Sequence, residues 1–346
     1  MKMRRILAIC LAVVLCLGAL TGCGGNNAST RAFTVNGTNV MMDEAMYYIY
    51  AEEQAYSVYD QLYQMMYGFS FWDSTQDGTT SMAQTVKHEI VTMGAWYTIL
   101  SEEAKAKGFT LSEEDTAQIA EDVQSIYDEL SDAQKKNTGL TVDSLVKTLS
   151  KIKLAGEYYV DVVSNYDVDR EAIRAGVDYK TYRQYDIEML EVTFSSSDGT
   201  MMDEPDQKLL IKKIDSYVAD AELGKDLAGL LDEDEEQIKY NSLSFTANDL
   251  TSNELYAVAS ELENGKVTTY QSSVSYYLIR MVDNDSHEAY EKEIQTEIKA
   301  AENEKFVEAY SSVADNAKIT VSRYFDKLVI GKITADETTT ADSSKE

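Results

Sequence analysis

Three cysteines and two histidines are the only thiols and imidazoles in this chain of 346 residues. Cys10 and Cys16 lie inside an apolar run from Ile6 to Leu20, and Cys23 follows it after Thr21 and Gly22. A charged start, Met1-Lys2-Met3-Arg4-Arg5, precedes the run. A basic stretch, an apolar stretch and then small residues is the layout of a secretory signal, here residues 1–22, and the run is short for a membrane span. His88 and His287 fall in separate helical stretches. No Gly-rich phosphate loop, Gly-x-Ser-x-Gly elbow or His-Glu-x-x-His is present. Asp232-Glu233-Asp234-Glu235-Glu236 lacks the glycine and alternating ligands of a calcium loop and reads as a solvated loop. Asp283-Asn284-Asp285 reads as a helix cap. No metal and no cofactor is expected.

Leu20-Thr21-Gly22-Cys23 resembles a bacterial lipobox, in which cleavage precedes a cysteine that carries lipid. The resemblance implies acylation of Cys23 and attachment to the outer face of the cytoplasmic membrane. Cys10 and Cys16 would leave with the signal and Cys23 would be consumed by lipid. The mature chain would then hold no free thiol and no disulfide. Thiol enzymes, disulfide isomerases and cysteine-ligated metal proteins are thereby excluded.

The chain carries 31 basic and 60 acidic residues, a net charge of −29. The signal takes away Lys2, Arg4 and Arg5 and no acid, so the mature chain is more acidic still. Such a surface repels nucleic acid and anionic head groups, and its first consequence is solubility.

Elements that would position chemistry follow from local pattern. Gly24–Arg31 is small and polar, so residues 23–31 read as a tether. Residues 331–346 read as a disordered tail, Thr/Ser/Asp/Glu-rich from Thr334. Phe33 to Val40 is two short β runs around Asn36-Gly37, a tight hairpin signal. Asp43 is expected to cap a helix to Tyr67, with a loop from Phe69 to Ser81. Further helices are expected over 82–107, from Ser112 to Leu130, over 142–165 and over 169–176. Ser112 and Asp115 form a capping box. From about Tyr182 the pattern changes to strands at 186–194, 238–245, 267–268 and 275–282, with helices at 206–223 and around 255–262. A long helix runs from Asp285 to Asp315, capped by Asp285 and Glu288, with Tyr290, Ile294, Ile298, Phe306, Tyr310 and Val313 as its apolar stripe. A last strand covers 317–322, and its pairing with the hairpin strand at Phe33–Val35 would unite the chain ends.

The first long helix is crowded with methionine and tyrosine, more than one stripe can hold. Burial on several sides explains most of them. Its end, with Tyr63, Met66, Tyr67, Phe69, Phe71 and Trp72, is expected to be partly exposed and suits a wall for non-native chains. Methionine is adaptable, and tyrosine joins an apolar body to a polar tip.

Residues 254–282 resemble the second half of a parvulin-type peptidyl-prolyl isomerase domain. The matching residues are Leu255 to Leu262, then Gly265-Lys266-Val267-Thr268, then Ser275-Tyr276-Tyr277-Leu278-Ile279, with Ile187–Phe194 as the first strand. The Asn-Gly hairpin before a Met/Tyr-rich helix resembles the N-terminal domain of PrsA and SurA foldases. The resemblance implies an α+β protein: a helical N-domain at 32–178, a parvulin-like domain at 179–284 and a C-terminal helix and strand at 285–330 packed on the N-domain. Active parvulins carry one histidine on the first strand and one on the last. Here those strands offer Glu188 or Met189, and Tyr277. Rotation of an X-Pro bond needs no nucleophile, only a pocket and oriented hydrogen bonds that favour the twisted amide over a barrier of about 18–20 kcal/mol. Met189, Phe245 and Tyr277 would line the degenerate pocket, with the Tyr277 hydroxyl as donor.

The reading is a lipid-anchored extracytoplasmic chaperone that holds unfolded or nascent exported proteins, with weak or absent isomerase activity. A working prolyl isomerase and a dedicated envelope assembly lipoprotein with one partner are the alternatives.

Overall fold

The computed structural model describes residues 30–75, 78–195, 199–232 and 235–334. The signal, Cys23, the tether to Ser29 and residues 335–346 lie outside the described residues. The fold is α+β, with two antiparallel sheets.

Strands β1 (Arg31–Val35) and β2 (Thr38–Met41) form the hairpin. Asn36 and Gly37 take φ of 51° and 91° at its turn, the conformation that an Asn-Gly pair accepts most readily. Helices α1 (Met42–Ala55) and α2 (Ser57–Tyr67) follow, then a single 3-10 turn at Phe71–Asp73. Next come α3 (Met82–Ala106), α4 (Glu113–Glu129), α5 (Asp132–Thr138) and α6 (Val142–Ser164). All four begin with a side chain accepting from the N3 backbone N–H: Ser81, Ser112, Ser131 and Thr141. Helices α7 (Arg170–Gly176) and α8 (Tyr179–Tyr182) lead to β3 (Gln184–Thr193). Then follow α9 (Glu204–Glu222), β4 (Ile238–Thr246), α10 (Glu254–Ser260), β5 (Val267–Gln271) and β6 (Ser275–Ser286). The chain closes with α11 (Glu288–Asp315), β7 (Ile319–Val321) and α12 (Arg323–Asp326).

Local pattern and structure part company at a few places, each for a physical reason. The expected helix 43–67 is two helices with a break at Tyr56. Neither proline nor glycine marks the break. Ser57 bonds back to the Gln54 carbonyl at 2.8 Å, and the Tyr56 ring stacks on Phe71 at 5.1 Å. Asp43 lies in the first turn of α1 rather than at its cap, where its charge still suits the helix dipole. Asp283–Asp285 do not cap α11: β6 runs through them to Ser286. The Asp285 carboxylate instead accepts from Tyr179 at 2.7 Å. Pro205 lies inside the first turn of α9, whose cap is Asp203. Glu235, expected in a solvated loop, pairs with Lys213 and accepts from the Ile238 N–H at 3.1 Å. Lys213 holds its carboxyl below the usual range.

The described chain divides into two compact units. One runs to Tyr166 and resumes at Asn303; the other is Asp167–Glu302, so α7 and the first half of α11 belong to the second. In the first unit the sheet order is β2-β1-β7. Phe33 pairs with Val321 and Val35 with Ile319, the union of chain ends read from the sequence. Phe33 is fully buried, which contributes about 1.5–3 kcal/mol. It packs so tightly on α3 that a Cβ at Gly94 would fall 2.7 Å from its ring. Phe306 and Tyr310 of α11 stack on each other at 4.3 Å and are buried against α3 and α6.

Residues 331–334, expected in the tail, are instead fixed. The buried Glu53 carboxylate accepts from the N–H groups of Gly331 at 2.5 Å and Thr334 at 2.6 Å. Ile330 and Phe325 are fully buried beside them.

The second unit is built on the sheet β4-β3-β6-β5. Side chains alternate between its faces. Leu190, Val192 and Leu278 pack with Leu210 and Ile214 of α9. Ile187, Met189, Ile279 and Met281 pack with Leu255 and Ala259 of α10. Arg280 and Glu188 oppose one another across β3 and β6, with Nε to Oε1 at 2.6 Å. Arg280 also donates to the Lys225 carbonyl at 2.6 Å, which ties the end of α9 to the sheet.

Candidate functional site

The sequence singles out two sets of residues, and each occupies its own unit. The first is the α2 helix and the turn after it. The chain reverses after Gly68, and Asp60 holds the return: its Oδ1 accepts from the Ser70 hydroxyl at 2.5 Å and from the Phe71 N–H at 2.8 Å. Asp60 is the one charged residue of α2, so this turn takes up the helix's only charge. Nothing on α2 is buried. Met65 is 75% exposed, Met66 65%, Tyr67 58% and Phe69 46%, and Val58, Tyr59 and Leu62 are exposed with them.

The six residues expected at this end therefore divide. Met66, Tyr67 and Phe69 face solvent, and Tyr63 is half-buried. Phe71 and Trp72 are buried, a correction to the expectation that they too offer surface. They form the base. Phe71 lies within 5.3 Å of Tyr63, and Trp72 lies 5.7 Å from Tyr56. Beneath Trp72 sits Gly331, so the C-terminal strap supports the patch from below. Sequence periodicity could not find Glu53 or Gly331, because their partners lie far along the chain.

The second set is the α10 face of the sheet in the other unit. Met189, Phe245 and Tyr277 share this face. Strand register places Glu191 beside Tyr277, and Tyr277 beside Tyr270. The Asn241 amide donates to Glu191 at 3.3 Å. Counting two residues on from Met189 along β3 would have found Glu191 in the sequence. Burial pushes the Tyr277 hydroxyl up, and the nearby Glu191 carboxylate adds to it, so the phenol stays a neutral donor at neutral pH.

Phe245 is not a free pocket wall. Its ring is sandwiched between Tyr185 at 5.2 Å and Tyr256 at 4.5 Å, nearly parallel to both. The unit's own aromatic rings fill that part of the face. Two open cavities of about 560 and 520 Å³ lie along β3 and β4, and neither is lined by Met189, Phe245 or Tyr277. His287 lies off this face, stacked on Tyr179 at 4.7 Å, and His88 lies on α3 of the other unit. The face can offer apolar contact and a phenol donor, but no imidazole.

Mixed helical and antiparallel units make this an α+β protein, and α2 presents an exposed aromatic and apolar helix. The chain is similar in structure to one of two SurA-like chaperones of Campylobacter jejuni, at 10% identity over 85% of this chain and 99% of that one, with a TM-score of 0.33. It is also similar to foldase protein PrsA from Lactococcus lactis, at 16% identity over 89% of this chain and 100% of that one, with a TM-score of 0.34. For foldase protein PrsA from Streptococcus pneumoniae the values are 12%, 79%, 95% and 0.28. No protein-family model and no curated protein sequence matches the chain.

Proposed function

We propose that this chain is a membrane-anchored extracytoplasmic chaperone of the foldase type, which holds exported unfolded polypeptides and has weak or absent prolyl isomerase activity. One observation carries the reading: exposed valine, tyrosine, leucine and methionine on α2, continued by Phe69 in the turn after it, where Asp60 fixes the return. Scattered apolar residues on a surface are ordinary, but a contiguous patch marks an interaction site. Methionine and tyrosine suit many sequences in turn, without ATP.

The order strand, helix, strand, helix, strand, strand in the second unit supports a parvulin-like domain there. The absence of histidine from β3 and β6 supports weak catalysis. The lipobox-like segment supports an anchor at Cys23 and a place outside the cytoplasmic membrane.

Light scattering from a chemically denatured model client tests the reading. The chain should suppress aggregation, and Met66→Ser with Phe69→Ser should remove most of that suppression while melting stays unchanged. Equal suppression by wild type and variant would sink the proposal. In a protease-coupled prolyl-peptide assay, a rate typical of parvulins that falls with Tyr277→Ala would establish the isomerase reading instead.

A further inference from the structure

Each sheet ends in two edge strands, and three of the four are short: β2 has four residues, β7 three and β5 five. The fourth, β4, has nine. A long edge strand is a template for pairing with another chain, and folds ordinarily guard it with charge, proline or a bulge. β4 pairs with β3 in unbroken register, contains no proline and carries a single charge, Lys239. Alternate residues of an antiparallel strand bond to opposite sides. The Ala247 N–H, one step past Thr246, donates to the Arg183 carbonyl at 2.9 Å. The odd-numbered residues of β4 therefore bond to β3, and the even-numbered ones turn their N–H and C=O groups outward. Carboxylates close both ends of this outer row: the Ile238 N–H donates to Glu235 at 3.1 Å and the Thr246 N–H to Asp249 at 2.8 Å. Between them, the outer backbone groups of Tyr240, Ser242 and Ser244 have no hydrogen-bond partner among the described residues. All three residues are exposed. The Tyr240 and Ser244 hydroxyls bond back to Glu188 and Asp186 of β3, at 3.2 and 2.6 Å. With Val282 these side chains line the open cavity of about 520 Å³.

Resting on the client-holding role, we propose that β4 takes an extended segment of unfolded polypeptide as a fifth strand of its sheet. Outward positions recur every two residues, so Tyr240 to Ser244 offers a ladder to about five residues of a partner, with Glu235 and Asp249 as stops. Main-chain bonds supply the affinity in strand addition, and side-chain pockets supply the preference. Alternate side chains of the incoming strand would enter the 520 Å³ cavity, and the others would lie beside Asn241 and Leu243. The partner must bring free N–H groups of its own. Folded chains have theirs paired, and a proline at a ladder position has none, so the edge selects unfolded segments without proline there. A prolyl isomerase pocket would have the opposite preference.

The test uses the full chain and a labelled seven-residue peptide of alternating threonine and valine, followed by fluorescence anisotropy. A peptide N-methylated on alternate residues keeps one free edge and should still bind. One methylated on every residue should bind about tenfold more weakly or worse, the loss of one or more ladder bonds. Ser242→Pro should weaken the unmodified peptide to a similar degree; its N–H faces away from β3, and proline is tolerated on an edge strand. In the wild-type chain, hydrogen exchange at the Tyr240, Ser242 and Ser244 amides should slow when the unmodified peptide is added. Equal binding of unmodified and fully methylated peptides, or unslowed exchange at those amides, would overturn the proposal whether or not the proline variant folds. Binding kept in Ser242→Pro but lost in Met66→Ser with Phe69→Ser would overturn it and leave the α2 reading intact. No binding of any peptide would overturn it too, and suppression of aggregation would then decide the α2 reading by itself. Sedimentation showing a dimer that Ser242→Pro dissociates would make a second copy the occupant, and would likewise overturn the proposal.

Discussion

Replacing Gly331 by alanine tests how the C-terminal strap supports the aromatic patch. Gly331 takes φ +89°, and a Cβ there would fall 2.2 Å from Trp72 Cγ and 2.4 Å from Cδ1. Van der Waals contact needs about 3.4 Å or more, so the ring or the strap must move by over an ångström. Trp72 is 4% exposed and meets Phe71 at 5.5 Å and Tyr56 at 5.7 Å, so it has little room. The left-handed backbone costs an alanine about 1–2 kcal/mol, and overpacking adds about 1–3 kcal/mol. The sum, about 2–5 kcal/mol, corresponds to a fall in Tm of roughly 5–15 °C for a unit of this size. Both tryptophans, Trp72 and Trp96, belong to the first unit, so tryptophan fluorescence follows its melting alone. Gly156→Ala is the control: it lies in α6 with nothing within 4 Å of the new Cβ, and should be neutral or stabilising by up to about 1 kcal/mol. Melting of Gly331→Ala within 2 °C of wild type, with unchanged emission, would refute the reasoning.

Arg280→Met leaves Glu188 charged and nearly buried without its partner, and should cost about 3–5 kcal/mol in urea unfolding followed by circular dichroism; a loss below 1 kcal/mol would contradict the packing. The Ser112 hydroxyl and then Lys153 hold the Asp115 carboxyl down at about 2, against an ordinary 3.8. Because the folded value is depressed, this cap's contribution is complete above about pH 4 and is lost as pH falls towards 2; an NMR titration of Asp115 with a midpoint near 4 would count against it. Deleting residues 316–346 removes β7 and the strap, and should lower the melting temperature of the first unit while leaving the second folded; an unchanged tryptophan melt would be the contrary result. Cys23→Ala should release the protein from membranes or leave it as precursor, and processing with retention like wild type would remove the lipid anchor.

Much of the local structure was legible because its causes are local. Asn36-Gly37 sets its own turn, Ser112 and Asp115 cap their own helix, and the 3.6-residue stripe on 294–310 announces a buried face. The strand-like run at 186–194, the period-two alternation at 238–245 and the parvulin-like run from Gly265-Lys266-Val267-Thr268 to Ser275-Tyr276-Tyr277-Leu278-Ile279 placed the strands of the second unit, and the resemblance put Met189 and Tyr277 on one face. Even the pairing of β1 with β7 could be argued, since a two-stranded hairpin with an apolar strand far down the chain invites a third strand.

Tertiary structure alone decided which aromatic residues of the 56–72 stretch face water. Phe71 and Trp72 look like Tyr67 and Phe69 in composition, yet Asp60 turns the first pair inward over Gly331 and leaves the second outside. It also decided that residues 331–334 are anchored, because their backbone N–H groups find the Glu53 carboxylate some 280 residues away. It filled the Phe245 part of the sheet face with Tyr185 and Tyr256. A sequence carries propensity and period. Burial and a hydrogen-bond partner across the chain belong to the packing.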